Sequence, residues 1–388
     1  MEQPYGFEQG DHSQNLVCKL TKALYGLKQA PRAWYFKPKQ VLQKLGFIFS
    51  QADNSLFSRK TKDSYIIILV YVDDTLITGN NDKDISHIIK LLDDSFSLKD
   101  LGLIHQFLGI QVTHFNNGLH LCQHQYIKDL LSKVNMASAK GSITTMVSSP
   151  HLSKSIGDSV ADNTLYRSVI GGLQYITITR PGIVYSVNKP SQFMQHPLDT
   201  HWKTVKRVLR YLAATPTFGL FIMKTPTLQI TGYSDSDWAT NIDDRKFITG
   251  FCVYLGDNLV SWCSKKQEAV SRSNTEAEYK SLAHCATEVM WLRNLLTKLH
   301  IPIVKTPIIW TDNIGAEVLA SNPIFYSRIK YVELDVHFIR EKVSQGLITV
   351  QHVPSIDQTA DVLTKPLSKQ SFTRFRSRLK VFPSPRTD

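Results

Sequence analysis

The run Tyr65-Ile66-Ile67-Ile68-Leu69-Val70 is the most apolar stretch of the chain, and it leads directly into Tyr71-Val72-Asp73-Asp74. A short run this rich in β-branched residues reads as a buried strand, and Thr75-Leu76-Ile77-Thr78 reads as a second one. Together they predict a β-hairpin that presents Asp73 and Asp74 at its turn. Two adjacent carboxylates at the tip of a buried strand repel each other and are costly to desolvate unless a cation neutralises them. A hard divalent cation, Mg²⁺ or Mn²⁺, prefers carboxylate oxygen and keeps positions open for substrate phosphates. The pattern points to phosphoryl-transfer chemistry on nucleic acid. An ordinary Asp-rich hairpin turn is the plain alternative.

Composition supports a folded protein of two or three domains: 388 residues, 42% hydrophobic and 20% charged. The formal net charge of +12 favours a polyanionic partner, nucleic acid above all. Cys18, Cys122, Cys252, Cys263 and Cys285 are scattered and form no CxxC pair. That argues against a disulfide framework or a structural zinc site and fits a reducing cytoplasmic or nuclear compartment. No apolar segment approaches the ~20 residues of a membrane span, and no targeting signal is visible at Met1–Phe7.

Four segments follow from the pattern. Residues 1–135 form a first unit containing the hairpin. Trp34–Leu45 has helical character, with Pro38 arguing for a break, and Ile85–Leu92 reads as a helix capped by Asp82 or Asp84. Gly118–Leu131 reads as a strand and then a helix. Residues 136–227 begin as a Ser-, Thr- and Lys-rich connector and continue as helices. In His201–Leu212, apolar Trp202, Val205, Leu209 and Leu212 recur at helical spacing, while Lys203, Lys206, Arg207 and Arg210 line another stripe. Four cations without an interleaved carboxylate suit phosphate contact. Residues 228–370 alternate strand and helix in the manner of an α/β layer fold. Strands are expected at Ile230–Asp235, Phe247–Leu255, Leu259–Cys263, Ile308–Asp312 and Leu347–Val353. Helices are expected at Glu276–Leu299, up to Ala320, and from Gln358. Residues 371–388 form a basic end, with Arg374, Arg376, Arg378 and Lys380, expected to be disordered or to add phosphate contacts.

Within the third segment, Asp235 and Asp312 end strands, Glu278 lies in the first turn of the long helix, and Asp361 opens the last helix. Each has an ordinary reading as a cap or a first-turn charge. Acids at strand ends and helix starts can also converge on one edge of a sheet and hold two metal ions on a phosphodiester. Asp237 and Glu276 are the nearest alternatives, and Asp237 falls on the same strand face as Asp235.

The run Tyr65–Gly79 resembles the YVDD box of a reverse transcriptase. Leu24–Tyr35, including Lys28 and Arg32, resembles the signature that precedes this box in copia-type retrotransposon Pol polyproteins. Gly171–Tyr175, Arg180-Pro181 and Asn188-Lys189 resemble the family's segment beyond the polymerase core. Ser271–Tyr279 and Ala360-Asp361-Val362-Leu363-Thr364-Lys365-Pro366-Leu367 resemble its C-terminal ribonuclease H domain. The resemblance implies a multidomain α/β and α+β chain. It would hold a partial polymerase palm with the YVDD hairpin, a helical thumb or connection, and a ribonuclease H-like mixed sheet with flanking helices. It implies Asp235, Glu278, Asp312 and Asp361 as metal ligands and catalytic acids, with Asp73 and Asp74 as their polymerase counterparts. The order Asp, Glu, Asp, Asp is similar to ribonuclease H, whereas integrases, of a related fold, place their Glu last.

The implied reaction is metal-assisted hydrolysis of the RNA strand of an RNA–DNA hybrid; RNA, DNA and their hybrid are the implied partners, Mg²⁺ or Mn²⁺ the cofactor, and no membrane is involved. A dimer or a longer Pol partner is left open. No early Asp with the family's surroundings accompanies the YVDD pair, so this chain is expected not to extend primers by itself. Gly182, Tyr326, Tyr331 and Pro38 depart from the family pattern, which weakens nucleic-acid contacts more than the four acids. A non-catalytic nucleic-acid-binding remnant is the alternative.

Overall fold

The computed structural model describes residues 19, 24, 26–72, 74–149, 151–237, 242–321 and 333–385. Asp73, Tyr326 and Tyr331 lie outside the described residues. The chain divides into two compact units, Met1–Leu103 and Ile104–Asp388.

In the first unit, α1 (Ala30–Lys44) precedes the strands β1 (Ile48–Phe49), β2 (Leu56–Lys60), β3 (Tyr65–Tyr71) and β4 (Asp74–Gly79), and α2 (Asp82–Phe96) follows. The strands form one antiparallel sheet in the order β1-β2-β3-β4. Alternation on β3 buries Ile66, Ile68 and Val70 against Leu42, Phe47, Phe57, Ile88 and Leu92. The helix α1 runs unbroken through Pro38, which is buried and lines a small cavity with Leu42, Ile68 and Val70. Packing against the sheet offsets the backbone bond that proline removes. The cap of α2 is Asn81, ahead of both expected acids, Asp82 and Asp84, and its side chain accepts from the amides of Lys83 and Asp84. Tyr71 pairs with Asp74, and the chain turns at Val72, which has φ 47°. The indole Nε1 of Trp34 donates to the Val72 carbonyl and holds this left-handed turn.

The second unit opens with β5 (Gln106–Phe107), β6 (Ile110–Phe115), β7 (Gly118–Cys122) and α3 (His124–Lys133). A long irregular connector leads to α4 (Asn163–Ile176), α5 (Val184–Ser191), α6 (Asp199–Ala214) and β8 (Phe218–Met223). There follow β9 (Ile230–Ser236), β10 (Ile248–Leu255), β11 (Asn258–Lys266), α7 (Asn274–Lys298), β12 (Ile308–Thr311), α8 (Ile314–Ser321), α9 (Glu333–Ser344) and β13 (Thr349–His352). A 3-10 turn, Thr359–Leu363, precedes α10 (Lys369–Arg378) and β14 (Val381–Pro383).

Two sheets result. One has the order β11-β10-β9-β12-β13, antiparallel through β11, β10 and β9 and parallel through β9, β12 and β13. Covered by α7, it is the ribonuclease H-like sheet implied by the resemblance. The other, all antiparallel, has the order β14-β8-β7-β6-β5.

This second sheet redraws the expected segments. Residues 104–135, assigned above to the first unit, belong to the second, where β7 pairs with β8 through Gly118↔Met223 and Leu121↔Leu220. Residues 371–385 of the basic end are also ordered rather than disordered. Phe372, Phe375, Leu379 and Val381 are buried in one core with Ile170, Leu209, Cys252 and Leu363. Its cations are engaged within the fold: Arg378 pairs with Asp357 at 2.6 Å, and Arg376 lies over the Phe218 ring at 4.7 Å. The polarity of this end hid an amphipathic helix whose aromatic stripe is core. Among the described residues, no helix is long and apolar enough to cross a membrane.

Candidate metal centre

β9 and β12 run parallel with Tyr233 opposite Trp310. Asp235 and Asp312 each lie two residues further on, so both acids emerge at the same end of neighbouring strands. Adjacent strands are spaced at about 4.8 Å. Asp361 enters from the 3-10 turn, which lies across β9 and β10. Asp235, Asp312 and Asp361 each bring a carboxylate oxygen within 4.8 Å of the others. Asp235 and Asp361 are buried, and Asp312 is half-buried.

Glu278 stands in the first turns of α7 and is 3% exposed. It is outside the group of three, but the charges of Asp235 and Asp312 act on it. Its Oε2 is buried with no hydrogen-bond partner. Burial first, and then those charges, push its carboxyl up to about 10. Burial and Asp235 push Asp361 up to about 7. Asp235 is raised by burial as well, against the pull of Lys365. Asp235, Glu278 and Asp361 resist ionisation beside a fourth acid, Asp312, and two buried oxygens, Glu278 Oε2 and Asp361 Oδ1, have no hydrogen-bond partner, which fits a site completed by hard cations.

Residues without an assigned role in the sequence hold these acids in place. The Thr364 hydroxyl donates to Asp235 Oδ2, and the Ser355 hydroxyl donates to Asp312 Oδ2 at 2.8 Å. Ser281 Oγ donates to the Asp235 carbonyl at 2.7 Å and the Gly250 carbonyl at 3.2 Å, tying α7 to the sheet. Gly250 pairs with Asp235, and a Cβ there would come within 2.4 Å of Thr364 Cγ2. The sheet must be bare at that point for the turn to seat. Lys365 Nζ lies 2.8 Å from Asp361 Oδ1 and 3.7 Å from Asp235 Oδ2. Burial alone would lower this amine, but the charges of Asp235 and Asp361 hold it above its usual range. Thr364 and Lys365 were visible only as part of a motif, because contact with a strand more than 120 residues away leaves no local signal.

The two alternative acids have other partners. β9 stops at Ser236, so alternation no longer governs Asp237. Its Oδ1 accepts the Ile248 amide at 2.5 Å, and its charge acts on Lys189 and Tyr185. Glu276 accepts from the Arg272 amide at 2.8 Å and pairs with Lys280 at 2.9 Å, as part of the α7 cap. In the first unit, Asp74 is exposed at the start of β4, and Lys28 and Arg32 are exposed at the entry to α1. On α6, Lys206 and Arg210 are exposed. Lys203 pairs with Asp199 at 2.6 Å, and Arg207 donates to Thr144 Oγ1 at 2.7 Å.

A family model for reverse transcriptase (RNA-dependent DNA polymerase) matches residues 1–148. The retrovirus-related Pol polyprotein from transposon RE1 of Arabidopsis thaliana is 48% identical over 381 residues, 98% of this chain and 26% of that protein. A transposon Ty5-1 protein of Saccharomyces cerevisiae is 32% identical over 74% of this chain and 94% of its own length. The chain belongs to the copia-type retrotransposon Pol family. It spans about a quarter of the curated Pol polyproteins it matches. A foamy viral protease-reverse transcriptase solved with double-stranded DNA aligns over 84% of this chain and 49% of its own, at 10% identity and a TM-score of 0.46, too distant to carry an argument.

Proposed function

We propose that the second unit hydrolyses the RNA strand of RNA–DNA hybrids in a divalent-metal-dependent reaction. The observation that carries this reading is the convergence of Asp235, Asp312 and Asp361 at one sheet rim, with the orphaned Glu278 oxygen beside them. These four acids would hold the ions. Bound Mg²⁺ or Mn²⁺ would supply charge stabilisation to the attacking and leaving oxygens of the phosphodiester. The chain's own part is positional. Thr364 and Ser355 fix the carboxylates of Asp235 and Asp312, and the rigid β9–β12 pair sets their separation. The exposed cations of α6, Lys206 and Arg210, give a phosphate-tracking surface, consistent with the net charge of +12. The 2′-hydroxyl would distinguish the RNA strand.

The test compares the 388-residue chain with Asp312→Asn on a labelled hybrid in Mg²⁺. The expected result is RNA cleavage by the parent and a loss of at least about 100-fold in the variant, the order of a missing charge-stabilising group. Equal background in both would favour a nucleic-acid-binding remnant without catalysis. The sequence pair Asp73-Asp74 gives two acids where the family's polymerase chemistry uses three. Primer extension by this chain in Mg²⁺ is therefore expected to be absent, and processive extension would refute that part of the reading.

A further inference from the structure

We propose that Lys365 is a placeholder cation in this centre, which an entering divalent ion must displace, so that Lys365 sets how much metal is needed to load the site. The inference rests on the metal-binding reading above and adds to it a device for regulating occupancy.

The geometry is that of a bridging ammonium. Lys365 Nζ stands 2.8 Å from Asp361 Oδ1 and 3.7 Å from Asp235 Oδ2, joining two of the three acids whose oxygens lie within 4.8 Å of one another. An ammonium so placed occupies the space between the carboxylate oxygens that a divalent ion would need. Two cations held by the same oxygens also repel each other strongly at such separations. Both cannot be accommodated in this arrangement.

The surroundings favour exchange over permanent pairing. The Lys365 backbone is fixed, because its amide donates to the Asp361 carbonyl at 3.1 Å and Thr364 beside it is tied to Asp235. The side chain is 38% exposed, so a path to solvent exists on its outer side. A lysine stem has four rotatable bonds and a compact head, and it can swing outward without moving the turn. Charge balance points the same way. Without metal, the ammonium relieves the repulsion among Asp235, Asp361 and their neighbours. Once divalent ions supply that relief, the extra positive charge is in excess. Arginine would not exchange so readily, since its planar fork would grip both carboxylates.

The test is metal binding by the full chain rather than turnover. Calorimetric titration with Mn²⁺ is expected to show Lys365→Met binding about three- to tenfold tighter than the parent, the scale of one partly solvated charge pair. Lys365→Arg should bind no tighter than the parent. A measurement on the unmodified protein covers the case in which Lys365→Met fails to fold. Amine acylation read by mass spectrometry should find Lys365 protected in EDTA and more reactive once Mg²⁺ is added. Equal or weaker Mn²⁺ binding by Lys365→Met overturns the proposal, as does Lys365 reactivity that stays flat or falls with Mg²⁺. A parent chain that takes up no Mn²⁺ overturns it together with the metal-centre reading. A chain that loads metal and releases Lys365, yet cleaves no hybrid, leaves this inference standing and overturns only the nuclease.

Discussion

Glu278 carries a cost in the metal-free protein, and the cost depends on pH. Burial and the neighbouring charges hold its carboxyl at about 10 and that of Asp361 at about 7. Both lie above the unfolded values near pH 4. Between the unfolded and folded values, the native state binds the extra protons, so stability falls as pH rises. The Asp361 contribution is spent by about pH 7, whereas that of Glu278 continues toward about 10. The melting temperature in EDTA is therefore expected to decline from pH 5.5 to pH 9 more steeply in the parent than in Glu278→Gln. Saturating Mg²⁺ should flatten the parent's curve, because the ion binds the ionised forms. Parallel curves for parent and variant would refute this account. The helix that carries Glu278 was legible in the sequence, because helical periodicity is a local property, but it starts at Asn274, so its first-turn acid is Glu276 and Glu278 stands just beyond that turn. Thr364, Ser355 and Gly250 were not legible, because their roles depend on which strand the chain returns to.

At the level of elements, α10 and β14 close the second unit. Charge composition suggested a solvated end, yet every third or fourth side chain there is apolar and buried. Phe375 is 2% exposed and packs with Phe372 and Leu379 against helices far away in sequence. Truncation to alanine removes that contact and leaves a cavity, so Phe375→Ala should cost about 3–5 kcal/mol in urea unfolding. A change below about 1 kcal/mol would mean that the helix is dispensable, as a disordered tail would be. Removal of all residues past Gln370 should then unfold much of the unit, rather than merely flatten the salt dependence of hybrid binding. The hairpins and α7 were legible because turn chemistry and helical periodicity are written locally. By contrast, β8 and β14 are short strands recruited by a distant sheet, and neither has a local signature strong enough to stand out.

At the scale of the molecule, the β11-β10-β9-β12-β13 sheet is complete within residues 230–352, as the sheet of a separable module would be. The core says otherwise. One cluster of buried side chains runs from Ile127 and Tyr166 through Val208 and Leu220 to Cys252, Tyr254 and Leu259, and on to Leu363, Phe375 and Val381. The outer faces of β10 and β11 are thus buried by α4–α6 and by the C-terminal segment, not by solvent-compatible side chains. Cutting at 228 and 370 would expose that surface and leave the turn bearing Asp361 unsupported on one side. An isolated fragment 228–370 is therefore expected to be insoluble or to bind hydrophobic dyes, with no cooperative melt. A fragment 104–388 should fold with a single transition and keep the affinity of the full chain for Mn²⁺. A well-folded, metal-binding 228–370 fragment would show that the shared core is incidental, and that the acids are positioned by the α7-backed sheet alone.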